Sequence, residues 1–124
     1  MSSLVEAFKD VAGGQLRVVA TLESIDYEVE YVREDLEDEY TRMDFDRAYQ
    51  SMMANQVSAE DFKSVGEFGD LDCQLFLFTE LIVFLFPSSR YSGVFVSFDR
   101  EPQFPLLDIV DAATDVSHLG EDDS

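Results

Sequence analysis

The residues that could do chemistry in this chain are few and badly spaced for it. Glu34, Asp35, Glu37, Asp38 and Glu39 put five carboxylates into six residues, a density that attracts hard cations to oxygen ligands. No Asp-x-Asp-x-Asp-Gly loop with a terminal Glu accompanies them, so a solvated acidic loop is expected rather than a metal site. His118 is the only histidine and sits in the C-terminal region without a partner to orient it as a general base. Ser88 and Ser89 lack both an elbow glycine motif and a following histidine at a usable position. Cys73, the single cysteine, has Asp72 and Gln74 beside it and no cation to lower its pKa, so a reduced, structural thiol is expected. Gly13-Gly14 and Gly66-x-x-Gly69 lack the lysine and hydroxyl residues of a phosphate loop. Asp108 and Asp111 share one helix face as ordinary exposed charge. No catalytic constellation, cofactor site or metal site is expected, and the chain is not expected to be an enzyme.

Charge is the stronger signal. The 124 residues carry 27 Asp and Glu against 8 Lys and Arg, a net charge of -19, yet 46% of the chain is hydrophobic. Chains this charged are often disordered, but here the apolar residues fall in periodic runs able to build one core, and the length fits a single domain. Only Lys9 and Lys63 of the basic residues are lysines. An acidic, lysine-poor surface suits concentrated salt, where the Debye length falls to about 3 Å at 1 M and self-repulsion is screened. The same charge argues against nucleic acid as a ligand, since no basic stripe could release phosphate counterions. The N-terminus lacks a leader-like pattern, and Leu75 to Pro87 falls short of the roughly 20 apolar residues that span a bilayer. A cytoplasmic protein with no membrane partner is expected.

The elements that would carry these residues follow from periodicity. Leu4, Val5, Phe8, Val11 and Ala12 recur at helical spacing, with Ser2 or Ser3 as N-cap and Gly13-Gly14 as the stop. Leu16, Val18, Ala20 and Leu22 alternate with polar or outward positions, and Tyr27, Val29 and Tyr31 alternate with Glu28 and Glu30, which predicts two antiparallel strands. Thr41 and Asp44 have the spacing of a capping box, opening a helix whose inward face is Phe45, Ala48, Tyr49, Met52 and Gln56 and which ends near Asn55. From Ser58 to Asp70 a further helical turn competes with a loop marked by Gly66 and Gly69, in which Phe62, Val65 and Phe68 pack without regular structure. Cys73 to Phe78 and Leu81 to Phe86 are apolar on successive residues, as interior strands are. Thr79-Glu80 is either a tight turn between them or part of one long strand. Pro87 to Arg90 reads as a loop, Tyr91 to Phe98 as a strand, and Pro105 as the start of a helix bearing Leu106, Leu107, Ile109, Val110 and Ala113.

The predicted fold is therefore one α/β sandwich, ordered α-β-β-α-β-β-β-α, with a mostly antiparallel five-stranded sheet in residues 1–116 and an acidic flexible tail in 117–124. This order resembles the roadblock/LC7 domains and, more loosely, profilin-like and GAF-like sensory domains. Leu16-Arg17-Val18-Val19-Ala20, Asp26 through Leu36, Tyr40 and Asp44-Phe45-Asp46-Arg47 are similar to a group of short, acidic haloarchaeal proteins of undetermined function. The first resemblance implies a homodimer joined across a two-fold axis, with nucleotide-binding switch ATPases or GTPases as partners. The second implies a halophilic habitat.

Phenylalanine is concentrated in the last three strands, more than one small core obviously needs. Tyr49, Met52, Met53, Phe84, Phe86 and Phe95 are accordingly the candidate apolar interface of a non-catalytic interaction or regulatory module. A small-molecule-sensing domain with an aromatic-lined pocket is the alternative.

Overall fold

The computed structural model describes residues 3–89 and 92–122, with side chains placed in these ranges except at 60, 63, 89 and 116–122. Helix α1 (Ser3–Ala12) leads into strands β1 (Leu16–Leu22) and β2 (Tyr27–Val32). Helix α2 (Arg42–Phe62) then precedes β3 (Gln74–Leu77), β4 (Leu81–Ser89), β5 (Ser92–Asp99) and α3 (Leu106–Asp122). Every strand pairing is antiparallel, and the sheet order is β2-β1-β5-β4-β3. Both the mixed α/β class and the element order are those the sequence predicts.

One face of the sheet carries the core. Val5, Phe8 and Ala12 of α1 and Ile109 and Ala113 of α3 close over Leu16, Val19, Ile82, Phe84, Phe86, Val96 and Phe98. Phe8 stacks with Phe86 and meets Phe98 edge-on, and Phe84 meets Phe98 edge-on. Each such ring, fully buried, contributes roughly 1.5–3 kcal/mol of apolar transfer energy. The left-handed backbone at Gly13, φ 59°, ends α1 as the glycine pair requires.

The second face is covered differently. The capping box forms as expected, with Thr41 N–H donating to Asp44 Oδ2 at 2.8 Å and Asp44 N–H to Thr41 Oγ1 at 3.2 Å. The helix it opens, however, buries only Gln56 fully among its described side chains. Gln56 donates from Nε2 to the Ser92 carbonyl at 2.7 Å, seating α2 on the β4–β5 hairpin. Gly93 makes that seat possible, since a Cβ there would stand 2.5 Å from the Phe86 carbonyl oxygen and 3.0 Å from Gln56 Oε1.

Four expectations need correction, and the choice left open at Thr79-Glu80 is decided. The helix predicted to stop near Asn55 continues to Phe62 and a further turn, Lys63–Val65, because no proline or glycine interrupts it before Gly66. Thr79-Glu80 is a turn, closed by Phe78 N–H on the Leu81 carbonyl at 2.9 Å, so β3 and β4 are separate strands. Only β4 is interior; β3 lies at the sheet edge, since nothing after it in the chain pairs with its outer side. Strand β4 runs through Pro87, with a register shift between Pro87 and Ser89 that accommodates the missing N–H; Arg90 and Tyr91 lie outside the described residues. Finally, α3 keeps helical backbone to Asp122, through the segment expected as a tail.

Candidate functional site

The residues that could do chemistry remain apart. All five carboxylates of residues 34–39 are exposed around buried Leu36, and Asp108 and Asp111 are exposed on α3. Among the described residues no three His, Cys, Asp or Glu side chains gather as metal ligands, and no helix is long and apolar enough to cross a membrane. Ser88 Oγ and Ser92 Oγ hydrogen-bond each other at 2.8 Å. Cys73 is half-buried against the core, and burial, then Asp72, pushes its thiol pKa up. The His118 side chain lies outside the described residues.

Three of the six candidate interface residues, Tyr49, Met52 and Phe95, line a single cavity, and Met53 is half-buried beside them on α2. Phe84 and Phe86 are core residues, 1% and 8% exposed, because their side of β4 faces α1 and α3. They belong to no accessible surface in this fold. The exposed apolar residues that the sequence assigned to the interior are instead Leu75, Leu77 and Phe78, at 42%, 54% and 54% exposure.

These three residues sit on the open edge of the sheet. Phe78 and Leu81 exchange a ladder hydrogen bond, and Leu75 pairs with Phe84 and Leu77 with Ile82. The alternation of an antiparallel ladder then turns the backbone N–H and C=O groups of Leu75 and Leu77 outward. From Cys73 to Thr79 no residue is charged. In the segment that leads from α2 toward β3, Phe62 and Phe68 stack at 5.7 Å, both exposed, with Val65 between them in sequence also exposed. Gly66 allows that stack, since a Cβ there would come within 2.9 Å of the Phe68 ring. The charge-free run was visible in the sequence; its place at an edge was not.

The cavity lies between α2 and the sheet and holds about 340 Å³. Phe45, Ala48, Tyr49 and Met52 form its helix wall, and Val83 and Phe95 lie on the sheet side. Strand β1 delivers a polar group to it through a bulge: Leu16 pairs with Phe98 and Val18 with the adjacent Ser97, so Arg17 is the extra residue and, like Val18, lines the cavity.

Arg17 also belongs to an ion-pair network at the corner of the sheet. Its Nη1 donates to Asp99 Oδ1 at 2.8 Å and its Nη2 to Tyr40 Oη at 3.1 Å. Arg33 grips the same carboxylate through Nη1 on Oδ2 at 2.5 Å and holds Asp35 through Nε on Oδ1 at 2.6 Å. Burial alone would raise the Asp99 pKa, but the hydrogen bonds from Arg33 and Arg17 together outweigh it and hold the carboxyl below its usual range. Asp35 is likewise lowered, first by its hydrogen bond from Arg33. Tyr27 donates to Asp46 Oδ1 at 2.5 Å, which raises the phenol pKa, and Tyr49 donates to the Glu23 carbonyl.

The model of one family, a domain of unknown function designated DUF7522, matches residues 2–118. The chain belongs to the DUF7522 family. The match takes in all five strands of the sheet, so the open edge and the cavity are features of a DUF7522 domain and not of an appendage to one. Comparison with curated proteins finds no match.

Proposed function

We propose that this DUF7522 domain is a non-catalytic interaction module that dimerises by joining two copies at β3. The observation that carries this is the β3 edge itself, where outward backbone groups and exposed Leu75 and Leu77 coincide with a seven-residue stretch, Cys73 to Thr79, free of charge. An edge strand of this kind is a template for pairing. A second copy is the fitting occupant, because two chains of net charge -19 repel each other except where such a charge-free strip meets its own image across a two-fold axis. Antiparallel β3–β3 pairing would continue the sheet through both copies.

The roadblock-like succession of elements, with α1 and α3 on one sheet face and α2 on the other, supports the same arrangement. By that analogy the further partner is a nucleotide-binding switch ATPase or GTPase. The acidic, lysine-poor surface fits a halophilic cytoplasm.

The test is the mass in solution by light scattering in 2 to 3 M KCl. Twice the 14.1 kDa chain mass is expected, with slow amide exchange at Leu75 and Leu77. A monomer with rapidly exchanging β3 amides would overturn the proposal.

A further inference from the structure

The cavity between α2 and the sheet has a floor that dimerisation at β3 leaves unused. At its centre is Ser97 of β5, whose partners across the sheet are Val18 of β1 and Val83 of β4. Successive side chains of a strand point to opposite faces. Val96 and Phe98 belong to the core under α1 and α3, so Ser97, like Phe95, faces α2, and all four of these floor residues line the cavity. Ser97 is 4% exposed, yet its hydroxyl forms no hydrogen bond with a described residue. Nor is Ser97 Oγ one of the sealed atoms without a partner, as Arg17 Nε is. It therefore keeps open surface, and the cavity is the space on that side of the strand. A buried hydroxyl without a partner is rare in native proteins, because nothing offsets its desolvation. The group that meets Ser97 comes from whatever fills the cavity.

The rest of the wall restricts that occupant. Phe45, Ala48 and Met52 offer only apolar surface from the helix side. The tyrosine hydroxyls on the wall are already engaged: Tyr27 with Asp46, Tyr40 with Arg17 and Tyr49 with the Glu23 carbonyl. Arg17 is held by Asp99, whereas Glu39 and Asp44 add two exposed carboxylates to the wall. An anion would meet those carboxylates, and a cation seated at Ser97 would lose its hydration against an apolar floor. A neutral hydroxyl has neither penalty. It can donate to Ser97 Oγ or accept from it, so either orientation of the serine rotor is met. About 340 Å³ lies at the small end of ligand sites, with room for one ring and a short side chain.

We infer that the cavity between α2 and the sheet is a binding site for a small neutral phenol or alcohol with an apolar body, its hydroxyl seated on Ser97 Oγ.

NMR titration of the full chain in 2 M KCl with 4-ethylphenol, 4-ethyltoluene and 4-ethylbenzoate varies the head group on one body. 4-Ethylphenol is expected to shift the Val18, Val83, Ala48 and Met52 methyls, and 4-ethylbenzoate to bind at least about tenfold more weakly. Ser97→Ala removes an oxygen with no partner to lose, so its melting temperature should be unchanged or higher. In that variant the affinity for 4-ethylphenol relative to 4-ethyltoluene should fall about tenfold, the loss of one buried hydrogen bond. Ala48→Leu, which fills the space from the helix side, should abolish binding of every probe while leaving the melting temperature unchanged or higher. A relative affinity unaltered by Ser97→Ala would overturn the seat assigned to the hydroxyl, and a lower melting temperature in that variant would show that Ser97 has a partner within the chain. Equal binding of the benzoate would overturn the exclusion of anions. No shift at the cavity with any probe would mean that water alone meets Ser97, and persistent binding in Ala48→Leu would place the site elsewhere. Each of these results defeats the inference.

Discussion

The two edges of this sheet solve the same problem in opposite ways. β2 alternates half-buried Tyr27, Val29 and Tyr31 with exposed Glu28 and Glu30, so any chain approaching its open side meets two carboxylates. It is also bulged, since Val19 and Ala20 pair with Tyr31 and Val29 and leave Glu30 as the extra residue. Charge and bulge are both devices that keep an edge from pairing. The strand is anchored at each end as well: Tyr27 to Asp46, and Arg33, just beyond it, to Asp99. β3 is anchored too, by Gln74 Nε2 on the Asn55 carbonyl at 2.9 Å, but it has neither charge nor bulge. It is four residues long, uncharged, and exposes two leucines. In a chain where carboxylates are so abundant, a strand edge without one is the exception that carries information.

The largest expected effect comes from giving β3 the protection that β2 has. Leu75→Glu with Leu77→Glu should weaken the dimer by at least about 100-fold, near 2.7 kcal/mol, read by light scattering across a concentration series. The monomer should stay folded, because both side chains are already about half exposed. An unchanged dimer constant would remove β3 from the interface.

The reverse change should make β2 resemble β3. Replacing Glu28 and Glu30 by Thr leaves a strand-forming residue at each position but no charge, and should tighten association at that edge by roughly tenfold. With two open edges per copy, pairing no longer closes, so species above twice the chain mass are expected and should grow with KCl concentration. A mass that stays at the dimer would mean that the bulge alone protects this edge.

The smallest effect concerns the anchor. Asp99→Asn should lower stability at neutral pH by about 1–2 kcal/mol, discounted from a fully buried pair because Asp99 is about one-third exposed. The folded pKa of Asp99 lies below its ordinary value. Its stabilisation is therefore present above the unfolded pKa of about 3.9 and is lost as pH falls through the folded value. Urea titrations of wild type and variant should differ most near pH 7 and converge below about pH 4. A difference independent of pH would show that packing, not the ion pair, holds the corner.

Some of this was legible in the residues. Alternation in Leu16–Leu22 and Tyr27–Val32 placed the first hairpin, and Thr41 with Asp44 placed the start of α2, because period and capping are local properties that the chain writes directly. The run from Leu75 to Phe86 was legible as apolar but not as to which strand would be inside, since an apolar strand has the same pattern whether a neighbour covers it or not. Phe84 and Phe86 were chosen as interface residues for their size, yet size says nothing of which sheet face they occupy. Arg17 gave no signal at all. Its importance depends on a bulge that turns it with Val18 toward α2, and on Asp99, 82 residues away in the chain.

The sequence by itself determined the elements, their order, the acidic surface and the absence of charge from Cys73 to Thr79, all set by local propensity and composition. Only the tertiary structure decided that β3 is an edge, that α2 stands off the sheet far enough to leave a cavity, and that a bulge in β1 puts Arg17 on the wall of that cavity. Those are consequences of which strands neighbour each other, and strand order is fixed by long-range packing that no local pattern encodes.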